Sequence, residues 1–253
     1  MSIRTANVDG VATLEIARPE KKNALTAQMY ADMAAALRAA QADAAVRAVL
    51  VAGQPGIFTS GNDLEDFMKY PPGAEDAPVF AFMEAVLALE KPLVAAVTGA
   101  AIGIGCTLLL HCDLVVVSDE ARLALPFVNL GLVPEFGSSL LLAQRLGHAR
   151  AAEKLLLGDA FTGAEAVELG LANAVMPPSE VLPHARRLAA RFTQLPPAAV
   201  RATKALMRAP LLPALRQALQ EEREVFVQRL RSPEAMEAFQ AFFEKRRPDF
   251  SKF

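Results

Sequence analysis

Two short stretches hold residue types that could do chemistry. Residues 98–113 (TGAAIGIGCTLLLHCD) set Gly99, Gly103 and Gly105 between an apolar run, Leu93 to Val97, and a second one beginning at Thr107. That order reads as strand, tight turn and the start of a buried helix at 107–110. At such a junction the first backbone N–H groups of the helix lack partners within it, and the helix dipole turns its positive end outward. Gly61-Asn62-Asp63 repeats the arrangement after another short apolar run. Glycine permits backbone angles closed to other residues and lets a ligand approach the main chain. Two such turns facing each other would form an oxyanion hole, in which main-chain N–H groups hold a carbonyl oxygen as it gains negative charge. The same pattern also suits βα turns that only pack, and spacing alone does not say whether the two turns meet.

The elements that would position these turns follow from apolar periodicity and turn residues. Ile3 to Val8 and Val11 to Ile16 flank Asp9-Gly10, which predicts a β-hairpin. Thr26 can cap a helix with Met29, Met33 and Leu37 at helical spacing to about Asp43. Arg47 to Ala52 reads as a buried strand ended by residues 53–56 (GQPG), and Asn62 or Asp63 caps the helix after the first glycine turn. Residues 71–76 read as a mobile loop, and Pro78 to Leu89 as a helix. Residues 113–118 and 122–125 read as strands, 126–137 as irregular and 138–146 as a helix. From His148 onward the pattern is helical: 149–157, 163–170, 180–194, 197–208 and 213–244 with a break at Ser232-Pro233. Strand and helix alternate over the first two thirds and helices fill the last, which predicts an α/β core with a helical extension.

The chain of 253 residues is 53% hydrophobic and 21% charged, so it can bury a sizeable core, and disorder is excluded. Its 26 Lys plus Arg against 28 Asp plus Glu give a net charge of −2, which removes the electrostatic case for nucleic acid or an anionic membrane as partner. Cys106 and Cys112 lack metal-site or disulfide spacing and read as small buried hydrophobes. No apolar run nears the ~20 residues of a membrane span, and no signal pattern opens the chain, so a cytoplasmic location is expected. Among other candidates, Asp63 reads as a helix cap and Asp66 as an exposed first-turn acid. His111 reads as a satisfied buried histidine, and His148 and His184 as surface or cap residues. Ser138 and Ser139 lack a His-Asp pairing, so no nucleophilic triad is supported. Glu135, taken alone, is an ordinary loop carboxylate.

Residues 51–64 (VAGQPGIFTSGNDL) followed by 94–106 (VAAVTGAAIGIGC) resemble the crotonase, or enoyl-CoA hydratase/isomerase, superfamily. The likeness runs through Arg18-Pro19, Asn23-Ala24-Leu25, residues 161–172 (FTGAEAVELGLA) and 242–246 (FFEKR), nearly the whole chain. It implies an α/β fold of stacked ββα turns, a spiral core over 1–195, with a C-terminal helical region over 196–253 that serves trimerisation and part of an acyl-CoA site. It also implies a homotrimer or a dimer of trimers. The resemblance assigns the oxyanion-hole N–H groups to Asn62 and Ile104, whose client would be a thioester carbonyl. It suggests Lys21, Lys22, Ser60, Phe242 and Lys245 as contacts to coenzyme A, with the last two available to a neighbouring subunit. Coenzyme A is then a handle of the substrate, and no cofactor or metal is implied.

Hydratases of this family use two glutamates, and the matching positions here hold Thr107 and Phe127. Water addition that needs one carboxyl to activate water and another to deliver a proton is therefore not expected. Residues 132–139 (LVPEFGSS) are instead similar to the segment carrying the single acid/base glutamate of Δ3,Δ2-enoyl-CoA isomerases, which assigns that role to Glu135. Apolar neighbours such as Phe127, Val133 and Phe136 would raise its pKa if they surround it. An enoyl-CoA hydratase, an isomerase of ring-derived acyl-CoA and a non-catalytic acyl-CoA-binding subunit are the alternatives. A Glu135 side chain turned to bulk solvent would favour the last.

Overall fold

The computed structural model describes residues 2–69 and 77–253. The loop read at 71–76 lies outside them. Asp9 and Gly10, both at positive φ, fold β1 (Ile3–Val8) back onto β2 (Val11–Ile16) with Val8 opposite Val11. Thr26 then caps α1 (Ala27–Ala42) by accepting the Met29 N–H, and Met29, Met33 and Leu37 form its buried face. Both elements match the sequence expectation.

From α1 onward the chain climbs in repeated turns. β3 (Ala48–Ala52) is followed by β4 (Ile57–Thr59), then α2 (Leu64–Lys69) and α3 (Pro78–Leu87). β5 (Leu93–Val97) is followed by β6 (Ala100–Ile102) and the single-turn α4 (Ile104–Thr107). β7 (Leu114–Ser118) is followed by β8 (Arg122–Ala124), α5 (Ser138–Leu146) and α6 (His148–Ala152). The first strand of each pair enters a large sheet and the second a small one. Two later strands close them: β9 (Phe161–Thr162), which leads into α7 (Gly163–Glu168), and β10 (Ala174–Met176). The large sheet runs β1-β2-β3-β5-β7-β10, parallel after its opening hairpin, and the small one β4-β6-β8-β9. This is the expected spiral of ββα turns.

β9 and β10 correct the expectation that everything after His148 is helical. With two and three residues, they are shorter than the window in which alternation can show, and only pairing to β8 and β7 makes them strands. A second correction falls on the central glycine turn. Residues 100–102 are strand β6, and the helix expected to start at Thr107 starts at Ile104 and tightens into a 3-10 turn over Leu108–His111.

All five residues of β3 are buried because both faces of the strand are covered. Val49 and Val51 face the main core with α1, while Ala48, Leu50 and Ala52 pack with Val94, Ala96 and Val116 against α8 (Pro178–Arg191) through Val181, Ala185 and Ala189. Burial of a Val or Leu side chain contributes on the order of 1.5–3 kcal/mol, so this two-sided layer makes the parallel strands a rigid base. α9 (Pro197–Arg208), α10 (Leu212–Arg229) and α11 (Pro233–Phe243) complete the chain. α10 lies on α5, and α11 on the 3-10 turn Val128–Leu130. No helix among the described residues is long and apolar enough to cross a membrane.

Candidate active site

β4 and β6 are parallel neighbours, with Ile57 beside Ala100 and Thr59 beside Ala101. Their C-terminal ends, Gly61-Asn62 and Gly103-Ile104, therefore emerge side by side, which settles what spacing left open. The approach is close. A Cβ on Gly105 would stand 2.4 Å from the Thr59 Cγ2, and one on Gly61 3.0 Å from the Ile102 carbonyl oxygen. Leu25 bonds to the Gly61 carbonyl and the Asp63 N–H in a parallel bridge, so the Asn62 N–H between them faces away from Leu25. In α4 the N–H groups of Cys106 and Thr107 return to the Gly103 carbonyl, leaving the Ile104 N–H at the open end. Among the described residues neither amide has an acceptor.

Residues of the N-terminal loop hold the first turn. Asn23, fully buried, donates to the carbonyls of Ile16 and Phe58 at 3.0 Å and accepts the Arg18 N–H at 2.7 Å. Arg18 pairs with Asp63 at 2.7 Å and also reaches the Ala24 carbonyl. Asp63 caps α2 through the N–H groups of Glu65 and Asp66, and these bonds with Arg18 hold its carboxyl below the usual range against the cost of burial. Asp66 departs from expectation: it is half-buried and accepts the Ala27 N–H at 2.7 Å, adding a second cap to α1.

Glu135 sits where two successive residues, Phe136 and Gly137, take left-handed backbone angles, φ 59° and 71°. Its carbonyl is held by the Ser138 N–H and hydroxyl at 3.1 and 2.6 Å. His111 holds the next residue, stacking its ring on Phe136 at 3.9 Å with Nε2 2.7 Å from the Phe136 carbonyl. Desolvation pushes the imidazole down to about 3, so the ring is neutral and Nε2 carries the donated proton. His111 is the satisfied histidine the sequence suggested.

The Glu135 side chain, 7% exposed, points into a cavity of about 530 Å³ walled by Phe67, Val79, Phe80, Met83, Leu219 and Phe226 among others. Its Oε1 is buried without any hydrogen-bond partner. Burial first, and then the negative charge of Glu222, push the carboxyl up to about 8. A carboxyl so placed can take and return a proton near neutral pH. The solvent-facing orientation that would have favoured a non-catalytic subunit does not hold.

Sequence reasoning missed two residues that meet here. Glu222 of α10 lines the same cavity. Tyr30, whose hydroxyl donates to the Asn62 side-chain oxygen, has its own pKa raised by burial and by the Glu135 charge, and so stands between the first turn and the carboxyl. Asn62 and Ile104 are outside the cavity lining. The link runs through Tyr30, tilted against Phe82 at 5.6 Å, and Phe82 against Phe136 at 6.3 Å. Tyr30→Phe, which leaves the Asn62 side-chain oxygen without this donor, is expected to lower kcat about tenfold with KM little changed, since one buried hydrogen bond is worth about 1 kcal/mol or more. Steady-state kinetics of the variant check this, and an unchanged kcat would remove Tyr30 from the site.

The suggested coenzyme A contacts fall into two groups. Lys22 accepts the Ser60 N–H with its carbonyl at 3.1 Å, so Lys21, Lys22 and Ser60 share one edge beside the first turn. Lys21 is exposed and lies 3.7 Å from Glu65. Phe242 and Lys245 lie at the far end of α11, Phe242 59% exposed. Cys106 and Cys112 are free and buried, and no cluster among the described residues could hold a metal ion.

A spiral of ββα turns with paired amides at its strand ends defines a class, and comparison with known proteins agrees. The model of the family described as Enoyl-CoA hydratase/isomerase matches residues 6–252. The chain belongs to that family, the crotonase superfamily, and is an enzyme of that class. It is 33% identical over 241 residues to the 2,3-dehydroadipyl-CoA hydratase of Escherichia coli (strain K12), covering 95% of this chain and 94% of that one. It is 36% identical over 239 residues to the enoyl-CoA delta isomerase 2 of Rattus norvegicus, 92% of this chain and 61% of the longer relative. The solved structure of Pseudomonas aeruginosa OdaA superposes with a TM-score of 0.93 at 55% identity, covering 95% of this chain and 98% of that chain. Relatives bear hydratase and isomerase names alike.

Proposed function

We propose that the chain shifts the double bond of an enoyl-CoA from C3 to C2, with Glu135 as the single proton carrier. The ionised carboxyl takes the proton from C2, and the electron pair moves into a thioester enolate whose oxygen the Asn62 and Ile104 N–H groups hold. Protonated Glu135 then returns the proton to C4. Preorganised donors of this kind contribute several kcal/mol of barrier lowering. The observation that carries the reading is the Glu135 carboxyl itself, buried at a cavity wall with one oxygen unengaged. Coenzyme A would rest along Lys21, Lys22 and Ser60, with Phe242 and Lys245 from a neighbouring copy in a trimer.

A hydratase reading has one feature in its favour, since Glu222 is a second carboxyl in the same cavity. Both its oxygens, however, already accept hydrogen bonds from Gly137 and Ser139, which leaves it a poor activator of water. The test supplies purified protein with 3-hexenoyl-CoA and, separately, crotonyl-CoA. Formation of the conjugated 2-enoyl thioester from the first is expected; fast hydration of the second would overturn the reading.

A further inference from the structure

α5 begins without a cap of its own, because Gly137 precedes it at φ 71° and offers no side chain. The missing partner comes from α10. Glu222, 8% exposed, accepts the Gly137 N–H at 2.6 Å through one oxygen, and the Ser139 N–H at 2.8 Å together with the Ser139 hydroxyl through the other. A carboxylate at that position satisfies orphan amides of a nine-residue helix and sits at the positive end of its dipole. Three donors aimed at it favour its charged form. Glu135 is the opposite case, with a buried Oε1 that no donor meets.

We infer that Glu222 is a positioning residue for Glu135: it ties down the loop that aims Glu135 and sets a second negative charge in the wall of the same cavity, so that the proton held there resides on Glu135. This rests on the reading of Glu135 as proton carrier. Burial raises both carboxyls, but the bonds from Ser139 and Gly137 pull Glu222 back, while the Glu222 charge pushes Glu135 further, up to about 8. The other groups facing the pair are Tyr30 from α1, Glu84 from α3, and Arg216, Arg223 and Glu224 from α10, with Arg223 lying over the Phe80 ring at 4.2 Å. Behind Phe136 stands His111, with Arg145, Lys204 and Arg208 around it. Tyr30 keeps its proton and His111 stays neutral through the neutral range, so neither competes with Glu135 for the proton exchanged there.

Glu135 must be ionised to act as base, so kcat/KM rises with pH through a limb near 8. The test follows that limb and, in the ligand-free protein, the carboxyl titration of 13C-labelled glutamate by NMR. Wild-type protein is expected to show a step near pH 8 that vanishes in Glu135→Gln. In Glu222→Gln the step and the limb move toward acid by about one pH unit, whereas Glu222→Asp, which keeps the charge, displaces them less. A purely structural role would lower kcat or Tm and leave the step in place. A step near pH 8 that survives Glu135→Gln would belong to Glu222 and overturn the inference, as would an unmoved step in Glu222→Gln. If Glu222→Gln does not fold, the Glu135→Gln titration decides. Retained isomerisation in Glu135→Gln would instead sink the functional reading, while the titration still reports which carboxyl holds the proton.

Discussion

Glu135→Gln is expected to lower isomerisation of 3-hexenoyl-CoA by about three orders of magnitude with little change in KM. Glutamine has nearly the same size and fills the same place in the cavity, so substrate binding and the Ser138 bonds to the Glu135 carbonyl persist. It can neither take the C2 proton nor deliver one to C4. Positioned acid/base groups contribute about 100- to 10,000-fold, and here one group serves both transfers, which places the loss above the lower end of that span. An effect on kcat without one on KM marks an interaction used only in the transition state. The rate of conjugated thioester formation, measured beside wild type, is the check; a variant with wild-type kcat would end the single-glutamate mechanism.

The second large effect is expected from a residue that touches no substrate atom. In Gly105→Ala the new methyl would stand 2.4 Å from Thr59 Cγ2. Thr59 cannot swing aside, because its hydroxyl donates to the Asn23 carbonyl at 2.6 Å and accepts the Gly61 N–H at 3.1 Å. Rotation would break both bonds inside a buried junction. The two glycine turns must then part, and amide donors work only when held about 3 Å from the oxyanion. A fall in kcat of about 100-fold follows if one donor is displaced. Overpacking should cost about 1–3 kcal/mol, roughly 5 °C in Tm for a domain of this size. Kinetics and a thermal melt test the pair of effects together. A Gly105→Ala protein with unchanged kcat would mean that the turns do not act as one site.

Much of the spiral was legible because its elements are locally encoded. Asp9-Gly10 closes a hairpin, Thr26 caps a helix, and strands covered on both faces show as unbroken apolar runs at 48–52 and 93–97. β6, β9 and β10 escaped because strands of two or three residues owe their pairing to tertiary neighbours. The glycine turns were legible as residue types, but their meeting was not, since it depends on β4 lying beside β6. Glu135 was legible through resemblance; its burial was not. Glu222 was not singled out among the three glutamates in residues 221–224 (EERE), yet a signal was present. Leu215, Leu219, Glu222 and Phe226 fall on one apolar stripe of α10, and a carboxylate in such a stripe calls for a buried partner. Asp66 was misread for the reverse reason, because its partner, the Ala27 amide, lies 39 residues away.

The cap that α10 supplies to α5 has a consequence for the order in which the protein is made. Gly137 and its partner Glu222 are 85 positions apart. At synthesis rates of about 5–20 residues per second, that separation is roughly 4 to 17 seconds of translation. During that interval an emerging chain already holds the two glycine turns, while α5 has uncapped amides and the cavity lacks the wall formed by residues 216–226. The environment that raises the Glu135 carboxyl is therefore complete only once α10 has been synthesised. A nascent chain that ends before residue 226 lacks both the cap on α5 and that wall of the cavity.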